Sequence, residues 1–303
     1  MNRRKFLQSL SAVAGGLALT AHSPLTALAY QTRVPVPPSL MLHSRDARAS
    51  FLPPLLTRLK AEGYTSTTYK SYLWDAINGR APERPIIISI DDITMAAGTG
   101  DGFRQFARMQ RWIAEADMRS VFGVITEPHY FGHAEERPQD AARWDEVADW
   151  IERGFELATH TSYHSNFNAV DSGPRADFGP AEYEMEIVKS AELIERELAH
   201  RGIRYGVQTL IMPYGTGFSY RKATPSVHEG IITACKQAHL KFVVGIVQGR
   251  ERLSRDQFTR LNEPTYVGRV EPCYEVTRDG HHIPLVEGTL QRMNHWYANW
   301  GTL

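Results

Sequence analysis

Hydrophobic residues along this chain alternate between two kinds of run. Residues 85–90, Pro85-Ile86-Ile87-Ile88-Ser89-Ile90, form an almost unbroken β-branched stretch, the pattern of a strand buried on both faces. Runs at 120–125, 207–212 and 242–247 repeat it, and a shorter one, 39–43, ends in His43. Between them the apolar positions recur at helical spacing. Leu52, Leu55, Leu56 and Leu59 mark a helix over 51–63 that ends at Gly63, and further helices are predicted over 103–116, 144–153, 181–200 and 226–238. Residues 64–69 read as a strand, 71–78 as a short helix, and Glu156-Leu157-Ala158 as a strand leading into His160.

Strands alternating with helices imply parallel strands joined by crossovers. No internal repeat or low-complexity linker interrupts the alternation. The expected fold is therefore α/β, a distorted (β/α) barrel of about seven strands, in one domain spanning 30–303. In such folds the polar residues that follow the strands line the active site. Asp91, Asp92, His160 and Pro213-Tyr214-Gly215 all follow predicted strands.

The first residues do not belong to that domain. Arg3-Arg4 precedes an apolar stretch from Leu10 to Thr20, and Ala27-Leu28-Ala29 then supplies small residues at a cleavage site. Residues 1–29 read as a twin-arginine export signal. The apolar run is short and interrupted by Gly15-Gly16, so no stable membrane span is expected after cleavage, and the location is periplasmic or secreted. The 303 residues carry 34 Lys+Arg and 34 Asp+Glu, a balance that argues against a nucleic-acid partner, which needs a basic excess. Cys235 and Cys273 are the only cysteines; a single bridge or two unpaired thiols both fit an oxidising compartment.

Candidate chemistry centres on two short segments. Asp91-Asp92 places adjacent carboxylates at the mouth of an apolar strand, so that one can bind a cation while the other stays free as a base. By itself such a pair is as good a loop or helix cap. His160-Thr161-Ser162-Tyr163-His164 adds two histidines four apart, which on one face of a helical turn can grip a single metal. Two imidazoles and a carboxylate leave coordination open for water, as a hydrolytic metal requires. Zinc is the default ion, and the same donors accept cobalt or nickel.

These segments resemble the motifs of the polysaccharide deacetylases, the family-4 carbohydrate esterases with a NodB-like domain. Ile88-Ser89-Ile90-Asp91-Asp92 looks like their Thr-Phe-Asp-Asp motif, and His160 to His164 reproduces His-Ser/Thr-x-x-His. Met212-Pro213-Tyr214-Gly215 resembles Arg-x-Pro-Tyr-Gly, and Ser120 to Val124 is similar to the second core strand. The resemblance implies metal ligation by Asp92, His160 and His164, with Asp91 as the general base that activates water. It also implies an oxyanion donor in the backbone N–H of Tyr214. Two departures stand out. Ile211 occupies the position of the motif arginine that orients the base, so another cation must take over. No late Leu-x-His motif is recognisable, although His281, His282 and His295 lie toward the end. Leu40-Met41-Leu42-His43 is similar instead to a segment of the exported poly-N-acetylglucosamine deacetylases, whose acid histidine precedes the Asp-Asp motif. That likeness makes His43 the general acid.

The implied activity is removal of acetyl groups from N-acetylated amino sugars of a polysaccharide or oligosaccharide. An O-acetyl esterase or a non-sugar amidohydrolase on the same site remains open, as does a carbohydrate-binding protein with impaired catalysis. His129 and His133 are read as solvated or packing residues, and Trp74, Trp112, Trp144 and Trp150 as core. Trp296 and Trp300 are candidates for stacking on sugar rings. The sequence does not fix the oligomeric state.

Overall fold

The structure is a computed structural model, and it describes residues 37–98, 102–127, 138–169, 174–219, 226–246 and 264–300. Residues 1–29, expected to be an export signal, and His129 and His133 lie outside the described residues. The β-branched run is the organising strand: β3 (Pro85–Thr94) pairs with β1 (Ser39–Leu42), β2 (Thr65–Thr67) and β4 (Val121–Ile125), all in parallel. From β4 the sheet continues in parallel through β5 (Glu156–Thr159), β6 (Thr209–Ile211), β9 (Phe242–Val244) and β10 (Thr265–Val267). The two-residue strands β7 (Phe218–Ser219) and β8 (Ser226–Val227) form a separate antiparallel pair.

Just past β10 the sheet turns back on itself. Val270 bridges to Leu40 of β1, with Met41 N–H donating to Val270 O at 2.9 Å and Val270 N–H to Ser39 O at 3.0 Å. Seven strands thus close a ring, with β2 attached beside the start of β3. The ring is uneven: β5 and β6 share only the Thr159–Leu210 pairing. This is the distorted (β/α) barrel expected from the alternation of runs.

Helices pack around the strands. They are α1 (Leu52–Ala61), α2 (Tyr69–Ile77), α3 (Gly102–Glu115) and α4 (Ala141–Glu152), then α5 (Pro180–Tyr183) running through a π-helical turn (Glu184–Val188) into α6 (Lys189–Ala199), and finally α7 (Glu229–Gln237). Capping follows local sequence. Asp140 accepts from the Ala142 and Arg143 amides at the start of α4, and Thr68 from Ser71 at the start of α2. The helix expected over 226–238 begins three residues later, because Ser226 and Val227 pair with β7 instead.

Strand alternation sorts the apolar residues into two cores. Ile86, Ile88 and Ile90 point out to the helices, whereas Ile87 points into the barrel with Val121, Ala158, Ile211, Phe242, Val244 and Val267. Tyr69 and Tyr72 of α2 join this inner cluster. Each such buried aliphatic side chain is worth about 1.5–3 kcal/mol. Beyond β10 the chain adds a hairpin, β11 (Cys273–Val276) and β12 (His282–Leu285), and the long helix α8 (Val286–Trp300). Residues 264–300 therefore both finish the barrel and add to it.

Three smaller points are settled by the packing. Cys235 and Cys273 are unpaired, Cys235 being buried in the outer core. Trp144 and Trp150 are buried and Trp112 packs against the core, but Trp74 is 64% exposed. Its neighbour Tyr72 takes the inward position on α2, so helical spacing alone misassigned Trp74. Trp296 is half-buried on α8.

Candidate metal centre

The inward face of β3 reads Ile87, Ser89, Asp91, and a regular strand would send Asp92 to the opposite side. It does not, because β3 bulges there. Ile90 pairs with Phe122 and Ile93 with Val124, so Asp91 and Asp92 together oppose one residue, Gly123. Asp92 adopts a left-handed backbone, φ 65°. The bulge re-aims its carboxylate toward the barrel mouth beside Asp91.

Strand β5 supplies the histidines. Its inward positions run Glu156, Ala158, and then His160 just past the strand end. The two histidines were expected on a helical turn; they sit instead on a loop with Thr161 (φ 69°) and His164 (φ 58°) both left-handed. Local hydrogen bonds hold that loop: Thr161 N–H donates to Thr159 Oγ1, and His164 N–H to Thr161 Oγ1, each at 3.1 Å. Gly123 is needed beneath it, since a Cβ there would lie 3.1 Å from Ile211 Cδ1 and 3.3 Å from His160 Cβ.

Asp92, His160 and His164 meet at one point. Asp92 Oδ1 is 3.1 Å from His160 Nε2 and 3.0 Å from His164 Nε2, and the two nitrogens are 3.1 Å apart. Four-coordinate zinc with bonds of about 2.0–2.1 Å spaces its ligands by roughly 3.3 Å, so the three atoms are set close to such a triangle. The hydrogen-bonding pattern also fits an ion. His160 Nδ1 lies 2.8 Å from Ile211 O, which can only accept, so Nδ1 carries a proton, and whenever the ring is neutral Nε2 turns a lone pair toward the carboxylate. Lone pairs converging in this way call for a cation or a proton between them.

Electrostatics agree. Burial opposes ionisation of Asp92, yet hydrogen bonds from His160 and His164 and the nearby imidazole charge hold its carboxyl well below the usual range. Burial pulls His160 down, but Asp92 and Asp91 outweigh it and raise the imidazole above its ordinary value. His164 is lowered, by burial first and then by the charge of His160.

Asp91 lies outside the Asp92–His160–His164 triangle, as a second carboxylate with a cation of its own. It is 4% exposed and bound on both oxygens by Arg269, Nη1 to Oδ1 at 2.6 Å and Nη2 to Oδ2 at 2.8 Å. Arg269 is fully buried; it also donates to Ser89 Oγ at 2.8 Å and to Gly245 O at 3.3 Å. Burial would raise Asp91, but the Arg269 charge and hydrogen bonds bring its carboxyl below the ordinary value. Arg269 is the cation that the Ile211 position lacks. It lies two residues beyond inward-facing Val267, beside the bridge that closes the barrel. The only sequence signal was an arginine at the end of a short apolar run, Thr265-Tyr266-Val267-Gly268-Arg269.

His43 follows β1 and comes to the same mouth, its Nε2 3.9 Å from Asp92 Oδ2. A buried carboxyl holds its loop. Asp46 accepts from His43 N–H at 2.9 Å and from Tyr274 Oη at 3.1 Å, while Arg45 pairs with Glu271 at 2.8 Å. Tyr214 stands on the facing loop with φ 55°, its ring edge-on to His164 at 4.6 Å between centroids. The structure thus brings together Asp91, Asp92, His160, His164, His43 and Tyr214. His281, His282 and His295 are exposed on the hairpin and α8.

No protein family pattern matches this chain, and no curated protein sequence matches it. Among solved structures it is similar to IcaB from Ammonifex degensii, at 15% identity and a TM-score of 0.50, over 82% of this chain and 94% of that one. A family 4 acetyl xylan esterase from Clostridium thermocellum, in complex with a cobalt ion, aligns at 12% identity and a TM-score of 0.34, over 70% of this chain and 84% of that one. The first likeness shows that the barrel fold is shared.

Proposed function

We propose that this chain is an exported, metal-dependent hydrolase that removes acetyl groups from N-acetylated amino sugars of a polysaccharide. The observation that carries the reading is the Asp92–His160–His164 cradle with a second carboxylate, Asp91, and an imidazole, His43, at its rim. The motif order and the fold shared with IcaB support the substrate class. The Arg3-Arg4 pair and the apolar stretch after it support export, and among the described residues no helix is long and apolar enough to cross a membrane.

Asp92, His160 and His164 would hold the ion; zinc fits the two nitrogens and one oxygen, and cobalt or nickel fits them too. A divalent ion bound there supplies Lewis acidity toward the acyl carbonyl and makes water more acidic. Asp91 takes the proton of the attacking water. Arg269 occupies one direction on each Asp91 oxygen and leaves other lone pairs to accept that proton. The Tyr214 N–H donates to the oxygen that becomes negative as the carbonyl carbon turns tetrahedral. His43 Nε2 delivers a proton to the departing nitrogen. The amide C–N bond breaks, water supplies OH to the acyl carbon and H to nitrogen, and the products are acetate and a free amine on the polymer.

Acetate release should be measured on N-acetylglucosamine oligomers, O-acetyl xylan and small amides, with chelated and zinc-restored protein. Zinc-dependent release from the N-acetyl oligomers, abolished by Asp92→Ala, is expected. Release from the xylan alone would replace the amide reading with an esterase. Zinc binding with no turnover on any substrate would favour a binding role.

A further inference from the structure

The metal loop carries two left-handed residues, and a β-branched one, Thr161, is strained there. Such a conformation persists only when its surroundings over-determine it. Beyond the Thr159 and Thr161 hydroxyls and the Thr126 and Glu127 amides, which donate to Thr161 O and Ser162 O, the segment around His164 is braced by the π-helical turn between α5 and α6. Ser162 N–H donates to Glu186 O at 3.0 Å, and Ser162 Oγ to Met185 O at 2.7 Å. The Glu186 side chain, 3% exposed, takes Tyr163 N–H on Oε2 at 2.9 Å and the Ser165 hydroxyl on Oε1.

Tyr163 and Ser165 flank His164 in sequence, so one buried carboxylate pins the metal-facing histidine from both sides. The inserted residue of a π-turn widens the helix, and such turns recur at functional sites. Burying a carboxylate is costly unless its oxygens are hydrogen-bonded, and here both of them accept from the metal loop. On the far side of the loop, Phe167 N–H donates to Thr216 Oγ1 at 3.0 Å, which ties it to the segment carrying Tyr214.

We propose that Glu186 is a positioning residue that presets the metal cradle, holding His164 in its ligating conformation before an ion arrives. The inference rests on the reading that Asp92, His160 and His164 bind a divalent ion, and it adds a residue that no motif of the sequence marks. Outer partners of metal ligands typically govern affinity by about 10–100-fold.

The test is zinc affinity of the full chain by competition with a chromophoric chelator, together with the visible absorption of the cobalt-loaded protein. Glu186→Ala should weaken zinc binding by about 10–100-fold and change the cobalt spectrum. Glu186→Gln should restore most of the affinity, because its amide oxygen can accept from Tyr163 N–H while its nitrogen donates to Ser165 Oγ. Zinc affinity and a cobalt spectrum unchanged in a folded Glu186→Ala protein would overturn the proposal. Should that variant not fold, Ser165→Ala removes one of the two flanking contacts and should weaken zinc in the same direction; unchanged affinity would again overturn it. Wild-type protein that binds neither zinc nor cobalt would instead overturn the metal reading itself, and this proposal with it.

Discussion

Two buried carboxyl groups face the inside of the same barrel from opposite ends. Asp91, at the mouth, is bound on both oxygens by the buried Arg269, and its carboxyl lies below the ordinary value. Glu156, at the first position of β5, is 3% exposed; it accepts from Thr209 Oγ1 at 2.5 Å and from Lys70 N–H at 2.9 Å. Burial pushes its carboxyl up, and those hydrogen bonds do not reverse the shift. Both groups are removed from water to a similar extent. The sign of the shift is decided by whether a cation is buried with the group. Where the proposed reaction needs an ionised base, the fold places an arginine inside a barrel. Where it only needs to close the floor, neutral donors suffice.

The mouth should respond first in chemistry. Asp91→Asn removes the proposed base, and kcat/KM on an N-acetyl oligomer should fall by about 10²–10⁴-fold, the usual worth of a general base. Zinc content should stay at the wild-type level, because Asp92, His160 and His164 are untouched. Activity within a few-fold of wild type would show that Asp91 is not the base, and the contrast between the two ends would lose its functional half.

Arg269 tests the same contrast through stability. Arg269→Met leaves Asp91 buried without its partner, and breaking one side of a buried pair costs about 3–5 kcal/mol. Removing both charges, as Asp91→Asn with Arg269→Met, should recover much of that loss in chemical denaturation while activity stays low. A double variant no more stable than Arg269→Met would mean that the arginine acts through packing and not through the ion pair.

The two ends also differed in how far the sequence revealed them. Strands were legible because β-branched runs such as Ile86 to Ile88 have few alternatives, and His160 and His164 because a four-residue spacing is local. The bulge that turns Asp92 toward them was not, since Asp-Asp after a strand is equally compatible with a cap. Arg269 sits 178 positions from Asp91, and only barrel closure through the Leu40–Val270 bridge brings it home. Glu186 was hidden similarly, inside a helix whose periodicity reads as continuous across the π-turn. Local pattern reports what a residue's neighbours in sequence dictate; ion pairs and braces formed by closure are dictated by the fold.

The floor gives the smallest effect and a distinctive pH signature. Glu156 has its folded-state carboxyl raised above the ordinary 4.5. Above that value the unfolded chain releases the proton while the native protein still holds it, so stability falls as pH rises from about 4.5 through the folded-state pKa. Glu156→Gln has no proton to lose. Its amide oxygen can accept from Lys70 N–H and its nitrogen can donate to the Thr209 hydroxyl. The variant should therefore be more stable than wild type at neutral pH, by about 1 kcal/mol on the scale of a single hydrogen bond. The advantage should shrink on acidification and disappear below about pH 4.5. Denaturant midpoints for the two proteins across that range would show it. A constant offset, or a loss of stability at neutral pH, would mean that Glu156 is held ionised despite its burial, and the two ends of the barrel would then be alike.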